Sequence, residues 1–187
     1  LGMSGQLRIG PTDSPHRRIT VKLSDGTELH FVDQRTFGYW LYGPWSKISH
    51  IGLDPLEPDF DITSAARRLR QKKAAAKTAL LDQTLVSGIG NIYADEALWA
   101  ARISPRKKAS ALRQKDAVAL LSAAQNVMSA ALKAGGTSFD SLYVHVNGES
   151  GYFARSLAAY GRAGQPCSRC GTPIERCVIG GRSSHYC

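Results

Sequence analysis

A chain of 187 residues has room for one domain or two small ones, and a 43% hydrophobic content is enough to bury a core. Its net charge of +9 is unevenly placed: residues 1–60 carry 6 basic and 7 acidic side chains, and the remainder carries 18 and 8. A basic part beside a neutral part points to a polyanionic partner, nucleic acid first. The lack of any run near ~18 apolar residues excludes a transmembrane helix.

Residues 5–9 read as a strand. Ile19, Val21 and Leu23, then Leu29 and Phe31, alternate with polar residues on either side of Asp25-Gly26, which predicts a β-hairpin. With an apolar run over 37–42, the first ~45 residues read as an antiparallel sheet. Residues 43–60 read as loop, broken by Pro44, Pro55 and Pro58.

From Asp61 the period becomes helical. A first helix is expected over 63–82, a second over about 91–101, and the longest over 110–134, ending at Gly135-Gly136. Residues 137–155 return to loop and strand character, with Gly148 and Gly151 as hinges. The fold class is α+β, with expected domains at 1–60, 61–150 and 151–187.

Between the first two helical patterns lies Ser87-Gly88-Ile89-Gly90-Asn91. Gly88 and Gly90 permit positive φ and leave no Cβ between backbone and ligand. Asn91 is a good N-cap, and the helix start behind it offers free N–H groups and a positive dipole end to a phosphate. The alternative is a tight helix–helix connection in which glycine only serves the turn.

All four cysteines fall in the last 21 residues, which suggests a metal site in a reducing compartment over a disulfide framework. Cys167-Ser-Arg-Cys170-Gly is a Cys-x2-Cys knuckle, and Cys187 follows as a third ligand for one structural zinc. Cys177 and His185 are left over, the alternative being free thiols near a terminus. A fourth ligand is expected just past residue 187. The sequence also opens without an initiator Met, inside what reads as a strand, so both ends read as cut.

Taken together, these stretches resemble the formamidopyrimidine-DNA glycosylase/endonuclease VIII family, closest to the bacterial formamidopyrimidine-DNA glycosylases. Residues 77–105 resemble its helix–two-turn–helix, 160–187 its zinc finger, and residues 1–5 and 33–38 parts of its N-terminal β-sandwich. Gly151-Tyr152-Phe153 and Tyr160-Gly161-Arg162 stand in family order. The resemblance implies a partial β-sandwich, a helical domain and a zinc-bound β-hairpin.

It also implies excision of oxidised purines (8-oxoguanine, formamidopyrimidines) from double-stranded DNA, followed by cleavage of the abasic strand. Asn91 with Gly88 and Gly90 would grip phosphates, as would Arg182 on the zinc hairpin. Met3, Arg35 and Phe37 would fill the void left by an everted base, where a thioether and a ring replace lost stacking and Arg pairs with the orphaned base. Core packing for Met3 and Phe37, and a solvated charge for Arg35, are the alternatives. Tyr160 is carried over as a DNA-side residue, Lys77 as a possible phosphate contact, and the Thr137–Gly151 segment as the loop over the damaged base. The family nucleophile is a terminal proline amine followed by glutamate. The sequence instead begins Leu1-Gly2, so as given it is expected to bind DNA without performing the covalent step, and no catalytic residue is assigned.

The competing expectations are a non-catalytic zinc-dependent DNA-binding fragment or pseudoenzyme, and a basic RNA- or ribosome-binding protein, which would leave Met3, Arg35 and Phe37 without a purpose. A cytoplasmic, nucleoid-associated bacterial monomer with no membrane partner completes the reading.

Overall fold

The computed structural model describes residues 5–136 and 156–187. Met3, the hinges Gly148 and Gly151, the Gly151–Phe153 match and the Thr137–Gly151 loop lie outside the described residues. The chain forms two compact units, one of Leu1–Pro44 with Ala131–Ser156, the other of Trp45–Ala130 with Leu157–Cys187.

In the first unit, β1 (Gln6–Ile9), β2 (Arg17–Lys22) and β3 (Glu28–Val32) form an antiparallel sheet in the order β1-β3-β2. The β2–β3 hairpin turns where Asp25-Gly26 predicts: Gly26 takes φ +84, and the Asp25 carboxylate accepts the Thr27 N–H at 2.9 Å. Leu7 and Ile19 both oppose Phe31, which is buried. The strand expected over 37–42 does not form. Asp33 is buried and its carboxylate accepts the backbone N–H groups of Arg35 (3.2 Å) and Gly38 (2.7 Å), which turns the chain away from the sheet. Phe37, Tyr39, Leu41 and Tyr42 are exposed as a result.

The second unit is helical. Asp61 caps α1 (Ile62–Gln71), its carboxylate accepting N–H groups of Thr63 and Ser64 at 2.9 and 3.2 Å. The single helix expected over 63–82 is two, because Lys72 adopts an extended conformation and the next residues pair with a distant segment. Ala76 N–H donates to the Lys107 carbonyl (2.7 Å) and Ala109 N–H to the Ala74 carbonyl (2.9 Å) before α2 (Ala76–Leu80) begins. α3 spans Asn91–Ala100, and α4, Gln114–Lys133, starts later than expected because Ala109–Ala111 forms a 3-10 turn. α4 ends as Gly135-Gly136 predicts: both have positive φ, and Gly136 N–H donates to the Ala131 carbonyl at 2.6 Å.

Leu69, Leu80, Leu85, Ile89, Leu98, Leu112, Leu120 and Leu121 form the core, each gaining roughly 1.5–3 kcal/mol from burial, with Ala65, Ala66, Ala94, Ala97, Ala117 and Ala124 allowing close helix approach. No described helix is long and apolar enough to cross a membrane. The same unit ends in the antiparallel hairpin β4 (Glu175–Ile179) and β5 (Arg182–Tyr186), joined by Gly180-Gly181, both at positive φ, as a tight two-residue connection demands.

Candidate nucleic-acid interface and metal centre

The turn before α3 differs from expectation in one respect. Asn91 is the first residue of the helix, and Gly90, at φ −97 and ψ −177, is its N-cap without a side-chain bond. Gly88 takes φ +80, and a Cβ there would fall 2.6 Å from an Asp54 carboxylate oxygen. Gln83 braces the turn: its Oε1 accepts the Gly88 N–H (3.0 Å), and its Nε2 donates to the carbonyl of Ile89 (3.0 Å). The Gly88 N–H is therefore committed internally, and Gly88 serves the shape of the turn. A Cβ on Gly90 would meet open space, and the N–H groups of the first turn of α3 have no helical partner, so Gly90–Asn91 is the part of the turn left open for an anion to approach.

Asn91 sits against the hairpin. Its Nδ2 donates to Ser183 Oγ at 3.5 Å, and its Oδ1 is buried with no hydrogen-bond partner among the described residues. Ser183 follows Arg182, which is exposed at the start of β5. A Cβ on Gly180 would lie 2.9 Å from Thr78 Oγ1, so the hairpin tip presses on α2.

Lys77 does not reach solvent. It is 0% exposed, with Nζ 2.6 Å from Asp95 Oδ1 and donating to the Ser183 carbonyl, which rules out a direct phosphate contact. Burial pulls its pKa below the usual lysine range, opposed by the Asp95 carboxylate. Asp95 Oδ2 accepts the His185 N–H (2.8 Å) and faces His185 Nδ1 (3.2 Å), so His185 is turned into the protein and not toward the thiols. The next residue, Glu96, accepts the backbone N–H groups of Ala158, Ala159 and Tyr160, each at 2.8 Å. The Tyr160 ring packs edge-on to His185, centroids 4.9 Å apart.

One turn further along α3, Trp99 Nε1 donates to Cys167 Sγ at 3.3 Å. The sulfurs of Cys167, Cys170 and Cys187 lie within 4.8 Å of one another, with 3.2 Å between Cys170 and Cys187. A tetrahedral thiolate site with Zn–S near 2.3 Å wants sulfurs about 3.8 Å apart, so the donor set fits zinc. Among the described residues no further Cys, His, Asp or Glu joins this group, and Cys177 lies out on β4, opposite Ser184. The Arg169 backbone N–H and the Trp99 indole hold the Cys167 thiol down to about 6, while the hydrogen bonds that the Cys187 thiol donates to the sulfurs of Cys170 and Cys167 push it up to about 11. A zinc ion held by Cys167, Cys170 and Cys187 would take all three as thiolates.

In the first unit, the Asp33-pinned loop presents Arg35 and Phe37 together, the guanidinium 5.0 Å from the ring centroid and the ring 57% exposed. Gln83, Asp95, Glu96 and Trp99 escape sequence reasoning. Only the adjacent carboxylates Asp95-Glu96, inside an Ala- and Leu-rich helix, carry a signal, that of buried acids with built partners.

Known proteins resemble this chain in sequence and in fold. The family model "Formamidopyrimidine-DNA glycosylase H2TH domain" matches residues 51–142, the "Formamidopyrimidine-DNA glycosylase N-terminal domain" matches 1–40, and the "Zinc finger found in FPG and IleRS" matches 164–187. The chain is 69% identical to a formamidopyrimidine-DNA glycosylase of Corynebacterium aurimucosum, all of it covering 66% of that protein. It is 54% identical to the one of Corynebacterium jeikeium, covering 73%. It thus spans about two thirds to three quarters of the length of these relatives. Among solved structures, the MutM (Fpg) protein of Thermus thermophilus superposes with TM-score 0.86 at 38% identity, over 100% of this chain and 71% of that one. Lactococcus lactis Fpg in complex with abasic-site DNA gives TM-score 0.84 at 34% identity, over 99% and 70%.

Proposed function

We infer the function from one premise: the chain belongs to the formamidopyrimidine-DNA glycosylase family. On that basis it is the part of a base-excision glycosylase that holds damaged duplex DNA, from an enzyme that excises oxidised purines and cleaves the resulting abasic strand. The observation that carries this reading is the meeting of Asn91, at the open N-terminus of α3, with the strand that begins at Arg182, through Ser183. Gly90, Asn91 and Arg182 grip phosphates, while Arg35 and Phe37, with Met3, enter the space of the everted base. Gly88 shapes the grip. Tyr160 supports it from behind, through His185. Cys167, Cys170 and Cys187 hold a structural zinc that keeps the hairpin folded, since a two-stranded hairpin has too little core of its own. Segment 1–60 serves void filling, 61–150 and 151–187 together serve the phosphate grip, 151–187 also holds the metal, and the protein works as a monomer. No residue of this sequence is assigned to the covalent step.

Anisotropy titration of a duplex containing an abasic site, beside the same duplex undamaged, tests this. We expect tighter binding to the abasic duplex and a log–log salt slope of several units, at about 0.9 per phosphate neutralised. Equal affinity for the two duplexes, or affinity indifferent to salt, refutes it.

A further inference from the structure

Among the described residues Lys77 is the only buried Lys or Arg. We propose that it is a positioning residue for the phosphate grip: it never meets DNA, yet it clamps the start of β5 to α3 and so fixes Arg182 relative to Asn91. The proposal rests on the reading of Asn91 and Arg182 given above.

Lys77 Nζ ties two elements together, the Asp95 carboxylate of α3 and the Ser183 carbonyl of β5. The other Asp95 oxygen takes the His185 N–H, so β5 is fastened at two alternate residues to one buried ion pair. The Ser183 hydroxyl meets Asn91, and on the other side of Arg182 the hairpin tip is wedged on Thr78. Arg182 thus stands between two anchored points, with its own side chain in solvent. A buried ion pair is weak evidence for stability, because desolvation offsets its attraction, but it does fix one geometry. Taking Lys77 away leaves the Asp95 charge and the Ser183 carbonyl competing for partners, and the strand carrying Arg182 loses its register on the helix.

The experiment compares Lys77→Met, Arg182→Ala and the double variant of the zinc-loaded chain on an abasic-site duplex across a salt series. Melting and zinc content monitor the fold. Arg182→Ala is expected to lower affinity about tenfold and the salt slope by about 0.9. Lys77→Met is expected to do the same while keeping zinc, and the double variant to match Arg182→Ala within about twofold, since the two act through one contact. Should Lys77→Met fail to fold, Lys77→Gln carries the same comparison with a donor retained.

Losses that multiply in the double variant at an unchanged Lys77→Met slope make Lys77 a plain stabiliser and overturn the proposal. A slope in the double variant lower by a further ~0.9 means that Lys77 itself neutralises a phosphate, and overturns it too. If Arg182→Ala binds as tightly as the parent, the grip reading fails first and takes this proposal with it.

Discussion

Replacing Asn91 with Ala is expected to separate stability from binding, because the side chain does little for the fold. It does not cap α3, its bond to Ser183 is long at 3.5 Å, and among the described residues its buried Oδ1 has no partner. A buried unsatisfied oxygen costs about 1–3 kcal/mol, so deleting the amide removes that penalty along with the weak bond. The net change in stability should stay within about 1 kcal/mol, or under about 4 °C in Tm for a chain of this size. Binding is different. A hydrogen bond to a charged phosphate is worth about 1.5–3 kcal/mol, which corresponds to a loss of roughly 10- to 150-fold in affinity. Because Asn is neutral, the salt slope should not move, unlike that of Arg182→Ala. Differential scanning fluorimetry and anisotropy with an abasic duplex at several salt concentrations measure both quantities. A fall in Tm of more than about 8 °C with affinity intact would make Asn91 a structural residue and refute the reasoning.

Other perturbations follow from the same geometry. Gly88→Ala meets positive φ and the Asp54 carboxylate, and should destabilise the chain by about 2 kcal/mol in urea melts; Gly90→Ala, in open space, should leave stability nearly unchanged but weaken DNA binding. A Gly88→Ala chain as stable as the parent would show that the turn has another conformation. Asp82 is held down to about 2 by Lys72 and then by Thr84. Since the folded value is depressed, its contribution is present above pH ~4 and is lost as pH falls toward 2; partial exposure limits it to about 1 kcal/mol. Melts between about pH 2 and 5 should therefore converge for parent and Asp82→Asn at the acid end, and a constant gap would contradict the assignment. Chelation of zinc should change tryptophan emission through Trp99, which donates to Cys167, whereas Cys177→Ser should keep one zinc per chain by atomic absorption. Loss of zinc in Cys177→Ser would place a ligand where the thiol cluster does not.

The features legible in the sequence are those written in local chemistry. Asp25-Gly26, Gly135-Gly136 and the Cys-x2-Cys knuckle each impose a conformation within a few residues, and each appears in the structure where the pattern puts it. The features missed depend on distant partners. Asn91 reads as a cap because Asn favours that position, but Gly90 caps the helix and the Asn side chain turns to Ser183, 92 residues away. The expectation of Lys77 at a phosphate rests on the resemblance alone, and lysines rarely stay buried; Asp95 on α3 and Ser183, 106 residues on, make its burial possible. The apolar run at 37–42 suggests a strand, but the Asp33 carboxylate gathers the backbone into a turn that no periodicity announces.

Helix α3 also has a kinetic consequence. Its side chains at 91, 95, 96 and 99 receive partners that follow 62 to 92 residues later: Ser183, His185, the 158–160 backbone and Cys167. Bringing such remote segments together carries a loop-closure entropy that local helix contacts do not, so these contacts form late in folding. The helical core can assemble first and leave α3 with a buried-type face still wet, where Asp95 has Lys77 but not the His185 N–H, and Glu96 has none of its three backbone donors. During refolding, Trp99 emission should therefore reach its native value after the helical circular dichroism signal does. Zinc should speed that last phase only, by ordering the incoming hairpin before it docks.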